Sequence, residues 1–283
     1  MSFDDDARFR NEHTLAGRTA VVTGVSRHRG IGFAIASRLL ARGASVFVQH
    51  WAPHDAAQPY GADSLDDVLA ALRTHLPTGA DEGAGARLDH LELDLAPASN
   101  PARLIAAARE SLGPIDILVC NQALSGSDGR LADLTPEMFD AHWQTNARAS
   151  LLMTQAFAAQ HDDERPGGRV VWITSGQQTG PMSGEIAYAT SKAALAGITV
   201  SVANDLIDRG IVLNTINPGP VNTGYLDASL APEAHDEVLR HFPRDRMGEP
   251  DDPARLIEWL VSDAGRWVVG QVISSEGGFR RWV

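Results

Sequence analysis

Short, continuous apolar runs rich in β-branched residues alternate along this chain with longer stretches in which apolar positions recur every three or four residues. The runs at 19–23, 45–49, 88–93, 115–120, 169–174, 211–216 and 272–275 read as strands. The stretches at 32–42, 64–76, 102–112, 136–161, 186–209 and 252–263 read as helices. Strict strand–helix alternation predicts an α/β fold of the Rossmann type, a doubly wound, seven-stranded parallel sheet with helices on both faces.

Local punctuation supports these boundaries. Asn100-Pro101, Thr135-Pro136 and Asp252-Pro253 each pair a capping residue with a proline suited to the first helical turn. Gly43, Gly113 and Gly210 stand where helices should stop. One domain is expected over 1–283, with residues 1–14 as an N-terminal arm. Two connections are long. Residues 51–62 follow the second strand, and 224–250 follow the sixth. The latter carries an amphipathic patch at 234–242 and is expected to be a substrate-binding loop or lid.

Composition narrows the partners. A formal net charge of −12 opposes a nucleic-acid groove, which needs a basic surface. No apolar run approaches the ~20 residues of a bilayer span. The acidic start, Met1-Ser2-Phe3-Asp4-Asp5-Asp6, lacks the basic-then-apolar pattern of a signal peptide, so a cytoplasmic protein is expected, with no membrane partner. Cys120 is the single cysteine, and its place at the end of an apolar run makes it a buried strand residue rather than a nucleophile. His161-Asp162-Asp163-Glu164 and His235-Asp236 lack metal-ligand spacing, so no metal is expected. Among 24 Lys and Arg residues only Lys192 is lysine, which calls for a specific explanation.

Three groups of residues carry chemistry. Thr23-Gly24-Val25-Ser26-Arg27-His28-Arg29-Gly30-Ile31-Gly32 lies between a strand and a helix, where glycines let backbone approach a pyrophosphate at a helix N-terminus. Tyr188 and Lys192 lie one helical turn apart, so phenol and ammonium share a face. A nearby cation is expected to lower the phenol pKa from about 10 and make it a general acid for ketone reduction. Ser175 stands at the carboxyl end of a predicted strand, where ligands of open α/β sheets bind, and can hold a carbonyl oxygen. Thr174 and Ser191 are weaker candidates.

From Leu15 to Arg280 the chain resembles the short-chain dehydrogenase/reductase family, most closely its 3-oxoacyl-(acyl-carrier-protein) reductase-like branch. The markers are Thr23-Gly24…Gly30-Ile31-Gly32, Asp94, Asn121, Asn146, Ser175, Tyr188, Lys192, Asn217-Pro218-Gly219 and Thr223, in family order. The resemblance implies that Tyr188 donates a proton, Lys192 lowers its pKa and binds the nicotinamide ribose, Ser175 positions the carbonyl, and Asn146 holds a water in a proton relay. It implies a cofactor site formed by Gly24, Ser26, Arg27, Gly30, Ile31, Gly32, Asp94, Leu95, Asn121, Ala123, Tyr188, Lys192, Pro218, Gly219, Val221 and Thr223. Within that set, Asp94 would meet the adenine, and Pro218-Gly219 with Thr223 would hold the carboxamide. Family members are often tetramers, so a homodimer or homotetramer is expected, paired through 136–161 and 186–209.

Departures from the family pattern sharpen the cofactor choice. Five residues rather than three separate Gly24 from Gly30, and Cys120-Asn121-Gln122-Ala123 replaces Asn-Asn-Ala-Gly. The second strand ends in Gln49-His50-Trp51, without the acid that grips an NAD ribose, while Arg27, His28 and Arg29 offer positive charge to a 2′-phosphate. NADP(H) is therefore expected over NAD(H). The expected reaction reduces a small-molecule carbonyl to a secondary alcohol. The substrate is a 3-oxoacyl thioester on a carrier protein, or else a free small ketone or sugar-like alcohol. For carrier docking, Arg209 matches one of two basic positions and Leu152 fails the other. A silent NADP-binding sensor is the alternative from another class, disfavoured by the presence of all four catalytic residue types.

Overall fold

The computed structural model describes residues 14–78, 85–165 and 167–282. Most of the predicted arm, including Asp4-Asp5-Asp6, lies outside them. Seven strands, β1 (Thr19–Val22), β2 (Ser45–His50), β3 (Leu88–Glu92), β4 (Ile117–Cys120), β5 (Gly168–Ile173), β6 (Ile211–Asn217) and β7 (Val272–Ser274), form one sheet in the order β3-β2-β1-β4-β5-β6-β7. Every neighbouring pair is parallel. The order reverses direction between β1 and β4, which opens a crevice beyond their carboxyl ends.

Apolar residues cover the sheet on two sides. One layer joins α1 (Ile31–Ala41), α3 (Leu65–Arg73) and α9 (Asp251–Val261) through Ile35, Leu39, Val68, Leu72, Ile257 and Leu260. The other joins α4 (Asn100–Leu112), α6 (Ala149–Gln160) and α7 (Ile186–Ile207) through Leu104, Ala108, Met153, Phe157, Leu195 and Leu206. Cys120 belongs to this second layer, and burial pushes its thiol up to about 12, which makes it a packing residue. Among the described residues, α7 is the helix long and apolar enough to cross a membrane. Here it packs on β6, with Lys192 buried.

The structure departs from the predicted elements in three places. The helix expected at 136–161 divides into α5 (Pro136–His142), a π-helical turn (Trp143–Arg148) and α6. The wide turn carries Asn146 inward, where its side chain bonds the backbone of Leu124 instead of facing solvent. The connection at 51–62 contains a short helix, α2 (Ala52–Ala56). The amphipathic patch at 234–242 belongs to α8 (Pro232–Arg240), and Leu226, Phe242 and Met247 form a small apolar cluster of their own with Val238, Leu239 and Phe279.

Capping differs in detail. Thr135 caps through the Met138 amide at 3.4 Å as predicted. Asn100 is itself the first helical residue, and its side-chain amide donates to the Asp94 carbonyl at 2.8 Å. The helix α9 begins at Asp251, so Asp252 lies inside its first turn, accepting from the Glu249 amide at 2.8 Å.

Candidate active site

A cleft of about 1090 Å³ runs across the carboxyl end of the sheet. Of the catalytic and cofactor residues implied by the family resemblance, all line it except Gly32 and Asn146, which sit one layer behind. His28 and Arg29, expected near a 2′-phosphate, and the weaker candidate Ser191 are not among its lining residues. Gly24 has φ +70, and its amide donates to Gln49 Oε1 at 3.0 Å. A Cβ on Gly32 would stand 2.5 Å from the Gly24 carbonyl oxygen and 2.8 Å from Asn121 Nδ2. Backbone therefore packs on backbone here, leaving room for a bulky polar group over the N-terminus of α1. Asn121 holds the turn by donating to the Thr23 carbonyl at 2.9 Å.

Gln122, at a family departure, is a structural tie. It accepts from Thr23 Oγ1 at 2.5 Å and donates to Ser150 Oγ at 2.9 Å, linking β1 to the start of α6. Gln49 plays a similar part, since its amide group also donates to the Leu93 carbonyl at 2.7 Å.

Two of the three residues expected to offer positive charge to a 2′-phosphate are paired within the chain. Arg27 pairs with Asp55 at 3.2 Å, donates to the Thr223 carbonyl at 2.7 Å, and lies 4.0 Å from the centre of the Tyr60 ring. Arg29 pairs with Asp227 at 2.6 Å. Both guanidiniums have acidic neighbours because segments distant in sequence, 51–62 and 224–250, fold back over the loop. Arg27 thus spans the cleft.

At the other end, Tyr188 and Lys192 project from the first turns of α7 towards Ser175, just past β5. Ser175 lies beside the phenol in the cleft and favours its ionised form. Lys192 is 1% exposed, donates to the Ile173 carbonyl at 2.9 Å, and lies 5.7 Å from the Tyr188 ring centre. The expected lowering of the phenol pKa is not what the geometry produces. Burial outweighs the influence of Ser175 and pushes Tyr188 up to about 12, while burial brings Lys192 down to about 8. A phenol so shifted is protonated at neutral pH, the form that can donate.

The Asn146 side chain is held by its own surroundings. Its Oδ1 accepts from the Leu124 amide at 2.6 Å, and its Nδ2 donates to the Leu124 carbonyl at 3.1 Å and to Ser191 Oγ at 3.0 Å. The side chain is fully buried and both amide hydrogens are used by the protein, so it braces the cleft wall. Asp94 turns to the Ala96 amide at 2.9 Å. Thr174 bonds the Ile216 carbonyl at 3.2 Å, and Ser191 bonds the Tyr188 carbonyl at 2.7 Å.

Some site residues escaped sequence reasoning. Asp128 accepts from the amides of Ala187 at 3.0 Å and Tyr188 at 2.7 Å, capping α7 from sixty residues away. It also accepts from its neighbour Gly129 at 2.7 Å, and these amides hold its carboxyl below the usual range against the opposing effect of burial. His142, fully buried, lies 3.8 Å from Asp128 and edge-on to Tyr188. Gly126-Ser127-Asp128-Gly129 reads locally as a turn, and nothing in it points to α7. Arg281 also reaches the cleft, from the tail beyond β7. Among the described residues no group of three His, Cys, Asp or Glu side chains is placed to hold a metal.

A crevice at the switch point of a parallel sheet, with a glycine-built turn at one end and a Ser–Tyr–Lys constellation at the other, defines a dinucleotide-dependent oxidoreductase. Comparison with known proteins agrees. A family model described as Enoyl-(Acyl carrier protein) reductase matches residues 24–280. The uncharacterized oxidoreductase YjdA of Bacillus subtilis is 32% identical over 93% of this chain and 97% of its own length. An NADPH-dependent aldehyde reductase-like chloroplastic protein of Arabidopsis thaliana is 31% identical over 94% of this chain and 95% of that protein. A short chain dehydrogenase from Burkholderia cenocepacia, solved in complex with NADP, superposes with a TM-score of 0.77 at 33% identity, covering 93% and 98% of the two chains. The chain belongs to the short-chain dehydrogenase/reductase family.

Proposed function

We propose that this protein is an NADPH-dependent reductase that converts a ketone to a secondary alcohol. The observation that carries the reading is the convergence of Ser175, Tyr188 and Lys192 beside Pro218, Gly219 and Thr223 in one cleft. The site fits a dinucleotide because Gly24 and Gly30 bring main chain to the cleft at the start of α1, where a Cβ on Gly24 or Gly32 would collide with its neighbours. NADPH, when bound, supplies the hydride for the carbonyl carbon. Ser175 Oγ holds the carbonyl oxygen, Tyr188 gives that oxygen its proton, and Lys192 stabilises the phenolate left behind.

The favoured substrate is a free small carbonyl compound rather than a carrier-bound 3-oxoacyl thioester. Arg209 pairs with Asp163 at 2.8 Å and donates to the Ala158 carbonyl at 2.9 Å, which leaves it tied to its own chain. The aldehyde-reductase-like relative points the same way. Residues 224–250 serve as the lid. The enzyme works in the cytoplasm as a homodimer or homotetramer, with exposed Val200 on α7 suited to pairing. Loss of NADPH absorbance with a panel of free ketones, aldehydes and 3-oxoacyl thioesters tests the reading. Turnover of free carbonyls with NADPH ahead of NADH is expected. Tight NADPH binding with no turnover on any of them would instead mark a sensor.

A further inference from the structure

The tail beyond β7 folds back along the substrate end of the cleft. Phe279 packs 4.9 Å from Phe242 within the apolar cluster of the 224–250 segment, and the Arg280 amide donates to the His241 carbonyl at 2.9 Å. Two residues beyond Phe279, the Arg281 side chain enters the loop that follows Ser175. Its guanidinium ion-pairs with Glu276 and donates to Thr179 Oγ1. Thr179 in turn donates to the Gly176 carbonyl at 2.9 Å. A Cβ on Gly176 would overlap the guanidinium, and one on Gly180 would overlap the Arg281 stem, so two glycines form its seat. Glu276 also accepts from Asn217 Nδ2 at 2.8 Å, beside the Pro218-Gly219 turn. The pair is well enclosed, with side chains 14% and 11% exposed.

We propose that Arg281 is a positioning residue for Ser175, seated between Gly176 and Gly180 by the tail, so that the 224–250 segment and the Ser175 hydroxyl hold their places together. The role rests on the reductase reading above, in which Ser175 orients the carbonyl. A charge-assisted bond and an ion pair fix the loop on one side, while the Phe242–Phe279 contact fixes the tail on the other. A shift of either would displace Ser175 from the phenol without touching the nucleotide turn.

Two measurements on Arg281→Ala test this. In NADPH-dependent ketone reduction, kcat should fall about ten- to hundredfold, the scale of a reacting group displaced by an ångström. NADPH affinity should fall much less than kcat, because the Gly24–Gly32 turn is untouched and only the Glu276 contact beside Pro218-Gly219 is loosened. Arg281→Lys should retain part of kcat, and ethylguanidinium should restore part of it to the alanine variant. Gly176→Ala should slow the wild type strongly yet add little to Arg281→Ala, because the atom it overlaps is gone. Hydrogen exchange should rise in the alanine variant at 174–182 and 226–247 and stay unchanged elsewhere. Unchanged kcat and exchange in the folded variant would overturn the proposal, as would fully multiplicative effects of the two substitutions. Should the wild type reduce no carbonyl compound, the reductase reading fails, and the exchange pattern still decides whether Arg281 holds the loop.

Discussion

The two ends of the cleft are built on different principles. At the nucleotide end, main chain meets main chain. Gly24, Gly32 and Asn121 lock the turn over α1, and the contacts come from the ends of β1 and β4, adjacent strands in one sheet. At the substrate end, remote side chains do the positioning. Asp128 holds the start of α7, Asn146 braces Leu124 from a π-turn, and Arg281 reaches the Ser175 loop from the last residues of the chain. The first end tolerates no added atoms. The second depends on a few charges and hydrogen bonds whose loss moves reacting groups without breaking the fold.

Four substitutions or conditions separate these ends. Tyr188→Phe removes the proton donor alone, so kcat for ketone reduction should drop about a thousandfold with NADPH affinity preserved, measured by steady-state kinetics and fluorescence titration. A variant retaining near-native turnover would end the assignment. Gly32→Ala forces a methyl against the Gly24 carbonyl, and should cost about 1–3 kcal/mol of stability along with most nucleotide affinity. Denaturant titration with and without NADPH reads both, and an unperturbed variant would show that the turn is looser than drawn.

The pH dependence probes the substrate end. Lys192 carries a proton below its pKa of about 8 and loses it above, and Tyr188 remains protonated up to about 12. Reduction should therefore be level below pH 8 and decline above it, by up to about tenfold per unit if the ammonium is essential. A rate that stays level to pH 10 would remove Lys192 from the proton step. Asp128→Asn should have the mildest effect. It weakens a carboxylate cap on α7 and should cost about 1 kcal/mol in thermal unfolding, with a small fall in kcat. Equal stability would mean that α7 is held by packing alone.

What was legible in the sequence follows the same division. The strand runs, the glycine turn, Ser175 and the Tyr188–Lys192 spacing were readable because each is a local pattern, set by a strand, a turn or one helical repeat. The π-turn within 136–161 was not, because its helical periodicity is intact and the cause lies at Leu124. The pairing of Arg27 and Arg29 was not readable for a related reason, since Asp55, Thr223 and Asp227 come from elsewhere in the chain. The direction of the Tyr188 shift was misjudged because adjacency of a cation is visible in sequence and burial of both groups is not.

By itself the amino-acid order determined the layered architecture, the crevice at the sheet's reversal and the candidates for the reacting groups, because periodicity and backbone permissiveness act over a few residues. Only the tertiary structure decided which charges are paired, which way the enclosed phenol and ammonium titrate, and which remote side chains contact the Ser175 loop and the start of α7. Those properties depend on solvent exclusion and on partners brought together from across the chain, and neither is written in any single segment.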